Sequence, residues 1–145
     1  DLMKYTSNLV HQEGLKHFWI PYFHGDRFWK WQELGFDAAA HQPNYFFQQY
    51  TNPTRLKEAA ELAKRFGLGV EIESHEGIAY EEDTWRNLYS DYLNAGVDYG
   101  FMENSFHPYY QGGDAYLQSA RSDNPEARQA YDWTYEFING VYEKK

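Results

Sequence analysis

The stretch GVEIESHEG, residues 69 to 77, concentrates acid–base groups in a segment with strand-like alternation. Successive strand side chains point to opposite faces, so Val70 and Ile72 share one face while Glu71, Glu73 and His75 share the other. Glu71 and Glu73 would then sit about 6.6 Å apart along the strand. Two carboxyl groups that close split their pKa values into one proton donor and one anion, the pair that glycoside hydrolysis uses. Glu73 lies nearer the strand's C-terminal end and is the first catalytic candidate. Glu71, one residue pair deeper, fits either a catalytic partner or a structural carboxylate paired with a neighbouring strand.

A third acid, Glu103, lies two residues from both Phe101 and Ser105 in the run DYGFMENSF, residues 98 to 106, which predicts an adjacent strand. His24, His41, His75 and His107 fall in or just after predicted strands, but no HxH or HExxH spacing occurs, so no metal site or other cofactor is expected. Hydrogen-bonded residues lining a polar cleft are the better reading for these four histidines, with His24, His75 and His107 the ligand-binding candidates. Aromatic residues crowd the same loops. Tyr22, Trp29, Tyr45 and Tyr109, interleaved with Gln42, Asn44, Gln48 and Gln111 and flanked by Tyr50, have the mixture of flat apolar faces and amide groups that suits a saccharide. Phe46 and Phe47 read instead as a small local core of their loop.

The elements that position these residues are marked by a recurring pattern. Four times a helical segment ends at Gly followed by an apolar residue and a strand-like run: Gly14-Leu15, Gly35-Phe36, Gly67-Leu68 and Gly96-Val97. Glycine suits a helix C-terminus because it enters the left-handed region without steric cost. The predicted strands are residues 17–23, 37–44, 69–75 and 98–106. Asn52-Pro53 and Asn124-Pro125 are helix starts, with Leu56, Ala59, Ala60, Ala63 and Phe66 forming the apolar stripe of the first. Further helices are expected over residues 2–13 and 28–34 and from Asp83 to Gly96.

The order of alternating helices and strands predicts parallel pairing with helical crossovers. Strand-to-helix loops are long and polar while helix-to-strand loops are short, as in a barrel whose site lies at the C-terminal ends of its strands. An open doubly wound sheet would need strands apolar on both faces; these carry Glu71, Glu73, His41 and Gln42. No glycine-rich phosphate fingerprint follows a strand. The expected fold is therefore α/β: a parallel (β/α) half-barrel of four strands with flanking helices, residues 1–145 as one unit. A complete barrel has eight strands and about 250 residues, so the unit is expected to be the C-terminal half of a TIM-like barrel. It would pair with a missing N-terminal half, or self-associate through open strand edges.

Composition narrows the partners. With 145 residues, 42% hydrophobic and 24% charged, the chain can bury a core. Its net charge of −9 and dispersed basic residues argue against nucleic acid. No apolar run reaches the roughly 20 residues that span a bilayer. The absence of cysteine is compatible with an exported or cell-surface bacterial protein but assigns no compartment. Aromatic residues make up 20% of the chain, which favours an amphipathic neutral ligand such as a sugar.

The segments FWIPYF, ELGFDAAAHQPNYFF, AAELAKRFGLGVEIE, YLNAGVDYGFMENSFHPYYQGG and YEFINGVY together resemble the bacterial proteins of domain-of-unknown-function family 4855. The resemblance spans nearly the whole chain, with QPNYFF and GVEIE its most specific parts. It implies a TIM-barrel-like, glycosidase-like protein, with these segments in the C-terminal half of a longer domain, and it assigns no catalytic residue. Two functions follow: a glycoside-hydrolase-like barrel acting on a poly- or oligosaccharide, or a non-catalytic saccharide-binding or structural barrel.

Overall fold

The computed structural model describes residues 1–47, 52–80, 83–103 and 105–145; Gln48 and Tyr50 lie outside them. Among the described residues, five α-helices flank short parallel strands. They are α1 (Leu2–Gln12), α2 (Pro53–Phe66), α3 (Asp83–Asp98), α4 (Ala115–Arg121) and α5 (Pro125–Ile138), with 3-10 turns at Phe28–Lys30 and Glu76–Ala79. The strands are β1 (Phe18–Trp19), β2 (Ala38–His41), β3 (Gly69–Val70), β4 (Ile72–Ser74) and β5 (Tyr109–Gln111).

Local chemistry accounts for the helix ends. The Asn52 side chain accepts from the Thr54 N–H at 3.0 Å, and Asn124 does the same for Glu126 at 2.9 Å. Each satisfies an N–H that the first helical turn leaves without a partner. Gly67 closes α2 in the left-handed region at φ 67°. Leu56, Ala59, Ala60 and Ala63 are buried, as their spacing requires.

Two small sheets share one stretch of chain. Phe18 pairs with Ala38 and Ala40 with Gly69, giving the order β1-β2-β3, while Ile72 pairs with Tyr109 in the sheet β4-β5. All pairings are parallel, as the alternation of elements requires. Between β3 and β4, Glu71 donates its N–H to the His41 carbonyl at 2.7 Å and Ile72 donates to Pro108 at 3.0 Å. The segment thus leans on β2 at its start and on β5 at its end. Val70 and Ile72 are completely buried in a core shared with Leu56, Tyr89, Tyr92 and Leu93. The rings of Phe18 on β1 and Phe106 ahead of β5 meet with centroids 5.4 Å apart.

Several boundaries depart from expectation. The last strand is Tyr109–Gln111 rather than residues 98–106, because α3 continues through Gly96 to Asp98. Gly96 is a packing position: a Cβ there would lie 2.4 Å from the Phe137 ring of α5, and the left-handed residue that follows the helix is Gly100, at φ 75°. The expected helix over residues 28–34 is a single 3-10 turn followed by hydrogen-bonded turns. The predicted first strand shrinks to Phe18–Trp19 plus one bridge between Tyr22 and Gln42. Helix α4 occupies a stretch expected to be loop, anchored by the Ser119 hydroxyl donating to the Ala127 carbonyl at 2.6 Å.

Candidate functional site

Glu73 is held by the chain that leaves β2. Asn44 adopts φ 56°, a left-handed conformation that asparagine tolerates better than most residues, and the Asn44 and Tyr45 N–H groups both point at the carboxylate. Asn44 donates to Oε1 at 2.9 Å and Tyr45 to Oε2 at 3.0 Å; the Tyr92 hydroxyl of α3 donates to Oε2 at 2.8 Å. Burial pushes the Glu73 pKa up, while these three donors and the nearby Arg55 charge pull against that shift. Glu73 is only 5% exposed, and both its oxygens are engaged.

Glu71 has a different environment. Burial first, then the Glu73 charge, raises its pKa to about 8, against a smaller opposing hydrogen bond from the Gln42 side chain. Its Oε2 is buried without a hydrogen-bond partner among the described residues. At neutral pH Glu71 is therefore mostly a neutral acid near an anchored carboxyl group. The face of the segment that carries these acids is covered, since Glu71 is 3% exposed.

A cavity of about 500 Å³ opens at the C-terminal end of β4. Phe46, Phe47, Trp85 and Tyr110 line it, with Gln42, Asn44, Glu73, Ser74, His75, Glu76 and Gly112 between the rings. The His75 and Trp85 rings stack at 3.6 Å and 12°. His75 Nδ1 accepts from the Gly77 N–H at 3.0 Å, which leaves the proton of the neutral ring on Nε2. Gly77 makes this stack sterically possible: a Cβ there would lie 2.1 Å from the Trp85 ring.

Of the residues singled out in the sequence, Gln42, Asn44, Glu73 and His75 come together at this cavity. Tyr22 (55% exposed) and Trp29 (46% exposed) are surface rings that do not line it, and His24 forms an exposed ion pair with Glu58 at 2.9 Å. Tyr45, expected to offer a stacking face, is only 1% exposed. Its ring packs edge-on against Tyr92 and its hydroxyl donates to Asp91, so its contribution is a backbone N–H. Glu103, His107 and Tyr109 line another cavity of about 610 Å³, formed with Met102, Ser105 and residues 138–140. Glu103 is exposed and precedes β5 instead of lying on a strand beside Glu73. His107 Nδ1 pairs with the Val70 carbonyl at 2.9 Å, and Tyr109 is half-buried with its hydroxyl pKa pushed up by burial.

The sequence singled out neither Glu76 nor Trp85 as a site residue, and Phe46 and Phe47 read there as a local core. Trp85 sits in the first turn of the helix that follows β4, and the start of such a helix lies near the C-terminal end of its strand. That position was the available signal. Among the described residues, no three His, Asp or Glu side chains converge as a metal ion would need, and no helix is long and apolar enough to cross a membrane.

Parallel strands flanked by helices, with aromatic clusters beside polar groups, define an α/β domain whose surface is consistent with ligand binding. The chain belongs to the domain of unknown function family DUF4855, whose model matches residues 1–136. Comparisons with curated proteins and with solved structures find no match.

Proposed function

We propose that the domain is part of a carbohydrate-active, TIM-like barrel and binds an oligosaccharide in the recess at the C-terminal end of β4. The observation that carries this reading is the recess itself. It combines the rings of Phe46, Phe47, Trp85 and Tyr110 with the amides of Gln42 and Asn44 and the carboxyl groups of Glu73 and Glu76. Rings supply faces for the C–H surfaces of a sugar, and amides and carboxylates accept or donate to its hydroxyls. A glycan array followed by calorimetry on the hits tests the reading, which fails if no saccharide binds.

The half-barrel architecture is part of the proposal. In a flat sheet, strands three places apart are separated by about 14 Å; the Phe18 and Phe106 rings come from the outermost strand and from the approach to the opposite one, yet touch. That contact favours a curled order. β1 and β5 each pair on one side only among the described residues, and Leu2, Tyr5 and Leu9 of α1 and Tyr135 and Ile138 of α5 are exposed. Four further strands, from another segment or a second copy, would complete the barrel at these edges.

A hydrolytic reading is favoured by one specific observation, the Glu73 carboxyl group among the groups that line the recess. It would make Glu73 the residue that acts on the sugar, since Glu71 is 3% exposed and does not line the recess. An assay for new reducing ends on the array hits separates the readings: hydrolysis predicts turnover that Glu73→Gln abolishes, whereas the binding reading predicts none.

A further inference from the structure

The recess sets two acids, Glu73 and Glu76, and one imidazole, His75, among its rings. Glu73 and Glu76 both line it, and neither lysine nor arginine does so among the described residues. The Arg55 charge is felt by Glu73, but Arg55 does not line the recess: its Nε donates to the Pro43 carbonyl at 2.8 Å and its guanidinium lies 3.9 Å from the Phe23 ring centre. Glu76 is exposed and forms no ion pair among the described residues. The walls are aromatic: Trp85 with His75 stacked on it, Phe46, Phe47 and Tyr110. Ring faces attract a cation through their quadrupole, and a nearby carboxylate adds direct Coulomb attraction. The same surroundings repel a carboxylate-bearing sugar, because a uronate would meet like charges with no donor cation to offset them.

We infer that the recess selects a saccharide carrying free ammonium groups, a deacetylated amino-sugar oligomer, over neutral and uronic-acid oligomers. The inference rests on the saccharide-binding reading above and adds the class of sugar to it. Glu76 is the residue best placed to set the preference, since it reaches the recess from the exposed first turn after His75 and substituting it removes no buried contact.

The experiment is calorimetric titration of the chain with short oligomers of one skeleton in two charge states: a glucosamine tetramer and its fully N-acetylated counterpart. A galacturonic acid tetramer and tetralysine serve as controls, all near neutral pH, where the amine is still partly protonated and an imidazole of ordinary pKa is mostly neutral. Expected are roughly tenfold tighter binding of the glucosamine tetramer than of the acetylated one, a scale set by one partly solvated charge pair, and no binding of the uronate. Glu76→Gln should bring the ratio of the two affinities close to one, weakening the glucosamine tetramer far more than the acetylated one, and added salt should weaken mainly the charged ligand. Equal binding of the two tetramers, a preference untouched by Glu76→Gln, or tetralysine binding as tightly as the amino sugar would overturn the inference and leave the saccharide reading standing. Binding of none of the sugars would remove both.

Discussion

The Tyr92 hydroxyl donates to Glu73 Oε2 across 2.8 Å, tying the middle of α3 to the end of the acidic strand inside the protein. Both groups are buried, and the backbone N–H groups of Asn44 and Tyr45 complete the carboxyl group's shell. The loop that leaves β2, strand β4 and helix α3 therefore meet at one carboxyl group. Tyr92→Phe should lower unfolding free energy by about 1–3 kcal/mol, the range for taking away one partner of a buried hydrogen bond. Glu73→Ala should cost more, because three donors lose their acceptor at once. Urea unfolding of the wild type and both variants checks the order; equal stability of all three would show that the contact holds nothing.

Glu71 gives a pH signature of defined sign. Its folded pKa, about 8, lies above the ordinary value of 4.5, so between these the folded state binds more protons and stability falls as pH rises. His41 acts oppositely: burial lowers its pKa from 6.5 to about 4, so stability rises with pH between those values. Above 6.5 the Glu71 effect is no longer opposed by His41. The expected outcome is a loss of up to about 2 kcal/mol between pH 6.5 and 8, from one proton at about 1.4 kcal/mol per pH unit. Glu71→Gln should flatten that limb. Thermal melts across the range give the slope, and an unchanged slope in the variant would place the titrating group elsewhere.

Gly77→Ala should perturb the recess without touching any charge. A Cβ there would lie 2.1 Å from Trp85, so the indole must leave its stack on His75. Tryptophan fluorescence should shift, and saccharide affinity should fall by at least as much as for loss of a single ring, about tenfold. Gly113→Ala is a weaker perturbation of the same loop region, where a Cβ would have only the Glu76 carboxyl at 3.7 Å, although its φ of 51° adds backbone strain. Comparable fluorescence changes in the two variants would mean that Trp85 is not held by Gly77.

Much of the framework was legible because its signals are local. Asn52-Pro53 and Gly67 bound α2 through capping geometry, and the alternation around Val70 and Ile72 marked the buried strand. The last strand was not legible, for a tertiary reason: Gly96 looks like a helix stop, but it is needed where the Phe137 ring presses on α3. The role of Glu73 was only half visible. Spacing places it beside Glu71, but the left-handed turn at Asn44 that aims two N–H groups at it belongs to another element. Tyr45 misled for a related cause, since aromatic character does not distinguish an exposed ring from one packed on Tyr92.

Saccharide binding in the recess is tested most directly by calorimetric titration of the wild type and Tyr110→Ala with the best oligosaccharide from an array. Tyr110 lines the recess, is 55% exposed, and contributes to the fold through its backbone, whose carbonyl accepts from the Ser74 hydroxyl at 3.2 Å. The variant should keep its melting temperature and bind five- to tenfold more weakly, about 1 kcal/mol for one lost stacking ring. Unchanged affinity in a folded Tyr110→Ala would place the sugar elsewhere, and no saccharide binding by the wild type would contradict the proposed function itself.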